Sequence, residues 1–150
     1  MKKLLLCFMG ALASFAALAD DATANFTTNV ATYCTVGQMN PGILHLSNST
    51  VTTDTPAIMQ VNSNEANKYK IRATNAGDFD TKPNGYTGTA TLTTTMDVSG
   101  SNNGNVAVGA EMPLAASGVN TVEVSVAGST DTDVIAGDYT ASAVVSCIAQ

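Results

Sequence analysis

The sequence predicts an all-β protein, an immunoglobulin-like β-sandwich that lacks its final strand. Its composition favours strands over helices, because Thr, Ser, Asn and Val abound while aromatic residues make up 5% of the chain. Seven or eight short stretches alternate polar and apolar residues, and turn-forming residues separate them. Residues 135–150 alternate up to the end of the sequence. We expect a terminal strand there, largely buried on both faces, with no later strand to pair with it.

The first nineteen residues are typical of an export signal. Lys2 and Lys3 precede an apolar run, and Ala17-Leu18-Ala19 is an A-x-A cleavage site. The run is too short for a retained membrane helix, and Asp20 follows it directly. Cleavage after Ala19 leaves 131 residues, enough for one domain with one core.

The exported part keeps two cysteines, Cys34 and Cys147. An even pair in an exported protein is read first as a disulfide, and the alternative is a pair of free buried thiols. The same part holds four basic residues against twelve acidic ones, a surplus of eight negative charges. That balance argues against nucleic acid or an anionic membrane surface as a partner.

Polar–apolar alternation places the remaining strands. We expect them at 21–36, 43–46, 57–61, 68–74, 89–98, 106–112 and 121–127. Turns are predicted at 38–42 and 62–67, a polar loop or a weak edge at 47–56, and a long loop rich in Gly, Asn and Pro at 75–88. In the strand at 68–74 the basic residues should face water, with Tyr69, Ile71 and Ala73 facing the core.

The sequence has few side chains suited to catalysis, so we expect the protein not to be an enzyme and to bind no cofactor. The single histidine, His45, lies in a short strand with no nucleophile or acid at useful spacing, so it is read as an edge or surface residue. One His and two distant Cys make no zinc site. Asp131, Asp133 and Asp138 depart from calcium-loop spacing, so a solvated loop is expected there.

The two ends of the domain suggest how it is completed. An alternating segment begins almost at the cleavage site, and the terminal strand has an open side. An exposed apolar edge invites another chain to add a strand, and the N-terminal segment of a sister subunit has a suitable pattern. The alternative is that this segment folds back and closes its own sheet.

Three stretches carry a resemblance to a known family: DDATANFTTNVATYCTV, PAIMQVNSNEANKYKIRAT, and GVNTVEVSVAG with AGDYTASAVVSCIAQ. The chain resembles the pilins of the chaperone–usher pathway, nearest the alpha class of colonisation-factor fimbriae. The resemblance covers both ends and one central hairpin, whereas residues 74–117 match in pattern alone. The cysteine pair departs from that class.

The resemblance implies a structural subunit of a surface fimbria that contributes to adhesion and polymerises by donor-strand complementation. Residues 1–19 would be the signal, 20–33 the donor strand and 34–150 the incomplete domain. Its partners would be sister subunits, a periplasmic chaperone, an outer-membrane usher and a host-surface receptor. The donor side chains would be Ala24, Phe26, Thr28 and Val30. Those lining the acceptor groove would be Tyr139, Ala141, Ala143, Val145 and Cys147.

In the same family the first and last strands run antiparallel across the groove. Cys34 and Cys147 fit a disulfide only beyond the end of that groove, because bridged Cα atoms must lie within about 7 Å. A different class of function stays open, a self-contained exported binding module, for instance for carbohydrate. Against it stand the lack of tryptophan and the few aromatic residues able to be exposed, at most Tyr33, Phe79 and Tyr86.

Overall fold

The computed structural model describes residues 23–107 and 109–150, so the predicted export signal lies outside the described residues. In this part of the chain the protein is an all-β sandwich of ten strands without a helix. The strands are β1 Cys34–Asn40, β2 Ile43–Ser47, β3 Thr50–Thr55, β4 Ala57–Ser63, β5 Tyr69–Ala73, β6 Ala90–Gly100, β7 Gly104–Val106, β8 Glu111–Pro113, β9 Gly118–Thr130 and β10 Val145–Ala149.

Strand β9 is the spine of the larger sheet. Over 120–130 it pairs with β6, which in turn pairs with β7. On its other side, the first half of β9 pairs with β4 and the second half with β3. β1 then continues the sheet beyond β4, and β2 continues it beyond β3. Because β9 has neighbours along both sides, its alternate side chains form the floor of the core, and Val122, Val124 and Val126 are buried as predicted.

The smaller sheet has the order β10-β5-β8 and packs face to face with the larger one. The main core cluster joins Ile71 and Val145 of the smaller sheet to Val61, Met96 and Val122 of the larger. A second cluster lies toward the other end of β9, around Val51, Phe79 and Leu92. Fully burying a side chain of this size stabilises a fold by about 1.5–3 kcal/mol, so the main cluster holds the two sheets together.

The strands predicted at 89–98 and 68–74 are confirmed as β6 and β5. β6 buries every second residue, and that face is the one predicted from the alternation: Ala90, Leu92, Thr94, Met96 and Val98. In β5, Ile71 and Ala73 are buried while Arg72 is exposed. Period-two patterning therefore locates these two strands, each of which has a neighbour on each side.

The prediction of a loop or weak edge at 47–56 is wrong, because Thr50–Thr55 form β3. Val51 is fully buried there. The Thr53 hydroxyl donates to the carbonyl oxygen of Val126 (2.8 Å) and accepts from the N–H of Val126 (2.7 Å). The Thr53 side chain thus makes hydrogen bonds between β3 and β9 of the kind that backbone groups make along the rest of the sheet.

The prediction of one strand at 106–112 is also wrong. The chain forms two short strands there, and β7 belongs to the larger sheet while β8 belongs to the smaller one. The segment between them crosses from one layer to the other. An alternating pattern does not reveal such a change of layer.

The strands at the two ends are shorter than predicted. β1 begins at Cys34 instead of residue 21, and residues 23–33 form no strand. β10 covers only Val145–Ala149, preceded by an isolated bridge at Thr140. Burial of β10 on both faces is wrong as well: Val145 is buried, but Ser146 and Ile148 are only half-buried because no third layer covers their face.

The long loop at 75–88 is confirmed and is pinned by one carboxylate. Asp78 Oδ1 accepts from the backbone N–H groups of Phe79 and Ala90, each at 2.8 Å. Asp78 Oδ2 accepts from Lys82 Nζ at 2.8 Å, and Lys82 Nζ also donates to the carbonyl oxygen of Gly88. The Lys82 hydrogen bond, followed by that from Ala90, lowers the pKa of Asp78 below its ordinary value of 3.8.

We expect Asp78 to contribute to acid sensitivity. A carboxyl whose pKa is lower in the folded state stabilises the fold above its unfolded pKa, and that contribution is lost as pH falls through the folded value. The Asp78→Asn variant should therefore be less stable than wild type at neutral pH, with the difference shrinking below pH 3.8. Urea unfolding across this range measures it. The control is Asp54→Asn, which makes the same change of charge at an exposed residue of β3. An equal pH dependence of stability in both variants would contradict the assignment.

Candidate functional site

The two sheets meet along a seam between two edge strands. In the described part of the chain, β1 forms a ladder with β4 alone and β10 with β5 alone. No β-ladder joins β1 to β10. An edge strand presents a row of unpaired N–H and C=O groups, so the seam has free hydrogen-bonding capacity on both sides.

A disulfide bond between Cys34 and Cys147 closes one end of the seam and confirms the predicted pairing. Their Cα atoms lie 6.2 Å apart, within the usual range for a bridged pair. The bond joins the start of β1 to the end of β10. Both strands extend from it along the seam, and their chain directions are antiparallel. Disulfides persist in oxidising compartments, and this one indicates a non-cytoplasmic location.

The free edge of β10 extends back through residues 139–144, and we call 139–149 the edge segment. From Thr140 to Gln150 the even-numbered residues bond the neighbouring chain: Val144 O accepts from Thr74 N (2.9 Å), and Gln150 N donates to Lys68 O (2.9 Å). Backbone groups alternate in direction along an antiparallel strand. The odd-numbered residues, Ala141 and Ala143 among them, therefore direct their N–H and C=O groups toward β1.

Beyond the disulfide the seam opens into a groove. Two adjoining cavities of about 270 and 620 Å³ run along it and share Gly42, Ile43, Leu44 and Ala141 as lining residues. One wall is the chain from Gln38 to Leu46, and the other is 134–143. The floor includes Met59, Val124 and Val126, so the groove opens directly onto the core.

Three of the residues predicted for an acceptor groove line these cavities. Ala141 and Ala143 lie in the wall, where their small side chains leave the space open, and Tyr139 lines the wider part. Val145 is 8% exposed and belongs to the main core cluster instead of the lining. Cys147 is half-buried and held in the disulfide. The role of these residues as acceptors stays a prediction.

Tyr139 also fixes the shape of its wall. Its hydroxyl accepts from the N–H of Ile135 (3.0 Å) and donates to the carbonyl oxygen of the same residue (3.1 Å). Its ring packs against Phe79 and Tyr86, with centroids 4.9 and 5.3 Å away. The turn before the edge segment is therefore held against the long loop, and the groove has a defined width.

The opposite wall was missed by sequence reasoning, which treated 38–42 as a turn. Pro41 and Gly42 bring the chain close to the β3–β4 junction, where a Cβ on Gly42 would meet Ala57 N at 2.9 Å. A glycine is thus needed for this close approach. Ile43, directly after it, is 56% exposed. An exposed large apolar residue beside an edge strand marks this wall in the structure, and the sequence pattern does not indicate it.

The residues predicted as donor side chains lie in a separate unit. The compact domain begins at Ala31, and these donor residues precede it in the chain. Ala24, Phe26, Thr28 and Val30 are all exposed, Phe26 by 93% and Val30 by 71%. Their role as donors stays a prediction.

The other candidate residues have ordinary surface positions. His45 is exposed on β2. Asp131 Oδ1 accepts from the N–H of Thr89 at 2.7 Å and so ties the loop that follows β9 to the start of β6, while Asp133 and Asp138 are exposed. Within the described residues, no group of three or more His, Cys, Asp or Glu is arranged to hold a metal ion. The described residues also contain no helix with the length and apolarity needed to cross a bilayer.

The aromatic residues considered for sugar stacking are less available than the sequence suggested. Phe79 is only 6% exposed, because it packs in the second core cluster. Tyr86 is half-buried against Tyr139, and Tyr33 is 42% exposed. A stacking platform needs exposed rings that lie together, and Phe79 cannot contribute to one.

Comparison with known proteins adds no family. No protein-family model matches the chain, and no curated protein matches it.

We expect the disulfide to be a main source of stability. It closes a sequence separation of 113 residues, for which the chain-entropy model gives about 4–5 kcal/mol. The Cys34→Ser/Cys147→Ser variant should lose a free energy of unfolding of that order, measured by urea denaturation. Wild type treated with reductant is the matched control and should unfold at the same urea concentration as the variant. A variant as stable as the oxidised protein would contradict this.

Proposed function

We propose that the protein is a structural subunit of a surface fimbria, polymerised by the insertion of the N-terminal segment of one copy into the groove of the next. The observation that carries the proposal is the open groove beside the edge segment, whose odd-numbered residues face the seam and have no ladder partner on that side in the described chain. A β-strand added there would pair with these groups and cover the exposed part of the core.

The N-terminal segment has the chemistry that such a groove requires. Residues 22–36 carry no charged side chain, and they alternate polar and apolar residues. Apart from Asp138 in the wider part, the side chains that line the groove are uncharged. Insertion would therefore bury apolar side chains such as Phe26 and Val30 without desolvating a charge on the donor.

The positions of the two features favour an open polymer over a closed dimer. The chain enters the domain at Ala31–Tyr33, beside the disulfide, whereas the groove begins next to Gln38 and continues away from that end. A contact between two different surfaces is heterologous, and repeated head to tail it builds a filament. The subunit would be exported to the cell surface with the aid of a periplasmic chaperone and an outer-membrane usher, and it would contribute to adhesion as part of the fimbria.

The donor face of the segment provides the decisive test. The Phe26→Asp/Val30→Asp variant should lose fibres by at least about ten-fold, because each side chain contributes about 1.5–3 kcal/mol when buried in the groove. The matched control is Asn25→Asp/Asn29→Asp, which adds the same charge on the opposite face and should still assemble. The full chain is exported from cells that also express a chaperone and an usher, and electron microscopy with size-exclusion chromatography measures assembly.

A deletion of residues 20–30 completes the test. The truncated chain should still form the Cys34–Cys147 disulfide and fold, but it should not make fibres by itself. Fibres from the truncated chain, or equal assembly by the donor-face and opposite-face variants, would overturn the proposed function.

A further inference from the structure

Asn64, in the turn between β4 and β5, brackets the chain where it enters the domain. Its side-chain Nδ2 donates to the carbonyl oxygen of Ala31 (2.9 Å), and its Oδ1 accepts from the N–H of Tyr33 (2.8 Å). Its backbone N–H donates to the carbonyl oxygen of Tyr33 (3.3 Å). One residue thus bonds Ala31 and Tyr33 just as a neighbouring strand would, although the β1–β4 ladder begins only at Cys34 and Ser63.

Tyr69 holds the same short segment from the other sheet. Its hydroxyl lies 3.2 Å from Thr32 Oγ1, and its ring packs against the main core cluster. Tyr69 begins β5 and pairs with Ala149, two residues after the disulfide. Residues 31–33 are therefore tied to both sheets at the end of the domain that the disulfide closes.

This attachment decides which groove the N-terminal segment can enter. To fill the groove of its own domain, the chain would have to reverse at residues 31–33 and run back beside β1. Ala31, Thr32 and Tyr33 contain none of the Gly, Pro, Asn or Asp that tight turns favour. A reversal would also break the bonds that Asn64 and Tyr69 make.

We infer that Asn64 and Tyr69 form a clamp that keeps residues 31–33 in line with β1 and so directs the N-terminal segment to a second copy of this chain instead of its own groove. This inference rests on the proposed function. Both are positioning residues: neither lines the groove, and their effect is on the choice between intramolecular and intermolecular insertion.

The choice matters because insertion within one molecule has the advantage of proximity. A tethered segment acts at an effective concentration of the order of millimolar, far above that of a second subunit. Without a device against it, self-insertion would remove subunits from the polymer. The clamp supplies that device through hydrogen bonds that a strand reversal must give up.

The test compares the full exported chain with an Asn64→Ala/Tyr69→Phe variant. Losing the side-chain bonds should raise the fraction of monomers that no longer assemble by the order of ten-fold. In these monomers the amides of Ala141 and Ala143 should be protected from hydrogen exchange, because the molecule's own segment pairs with them. Deleting residues 20–30 from the variant should remove that protection.

Two further variants guard against a simple folding defect. Thr32→Val/Asn64→Asp makes smaller changes, yet it removes the Tyr69 contact and sets a carboxylate oxygen against the Ala31 carbonyl, so it should give the same self-closed monomers. Asn103→Ala is the matched control: Asn103 brackets the backbone of Gly100 in the same way, in the turn between β6 and β7, and its loss should leave assembly unchanged.

The outcomes separate this inference from the proposed function. Variants that fold, assemble like wild type and leave the edge amides unprotected in monomers would overturn the clamp alone. Wild-type monomers with unprotected edge amides that never assemble would overturn the proposed function, while protection that appears only in the clamp variants would still support the clamp. Wild type found solely as monomers with protected edge amides would overturn both.

Discussion

The backbone groups that β1 and β10 direct toward each other are the constraint around which the molecule is built. Within the described residues each strand has one ladder partner, and no ladder joins the two strands to each other. A backbone amide left without a partner away from water costs about as much as a lost hydrogen bond. The seam therefore cannot exclude water unless its backbone groups find hydrogen-bond partners. The disulfide holds the two edges at one end, and the opening at the other end is the groove.

The rest of the sandwich tolerates this opening because most buried residues of the main core cluster lie on strands other than β1 and β10. β9 has a neighbour along each side, and the main cluster joins both sheets through β5, β6 and β9. The second cluster is different, since Leu44, Leu46, Tyr139 and Ala141 pack against it from the groove walls. The part of the core that an added strand would cover is therefore the part whose packing is least complete.

The sequence predicted the strands with long, regular alternation and missed β3, although β3 has a neighbour on each side. The alternation in β6 and β9 is long and regular, because every second residue must enter the core. β3 has one fully buried residue, Val51, in a run of threonines, and its pairing depends on the Thr53 hydroxyl, which no periodic pattern reports.

For the groove, the sequence supplied one wall and missed the other. Tyr139, Ala141 and Ala143, which the sequence analysis named for an acceptor groove, line these cavities, although β10 itself begins only at Val145. Residues 38–42 were read as a turn, since their role depends on their approach to the β3–β4 junction. Asn64 was read only as a turn residue for a similar reason: its partners lie more than thirty residues earlier in the chain.

The position of the disulfide also decides how the molecule bears tension. A pull on the chain at Ala31 reaches a covalent bond three residues later, at Cys34, and passes from there straight into the last strand. β1 is thereby spared from being peeled off β4 one hydrogen bond at a time, the weakest way to load an antiparallel ladder. Mechanical load would thus run through the wall of the groove by a covalent route, while the hydrophobic interior stays outside its path.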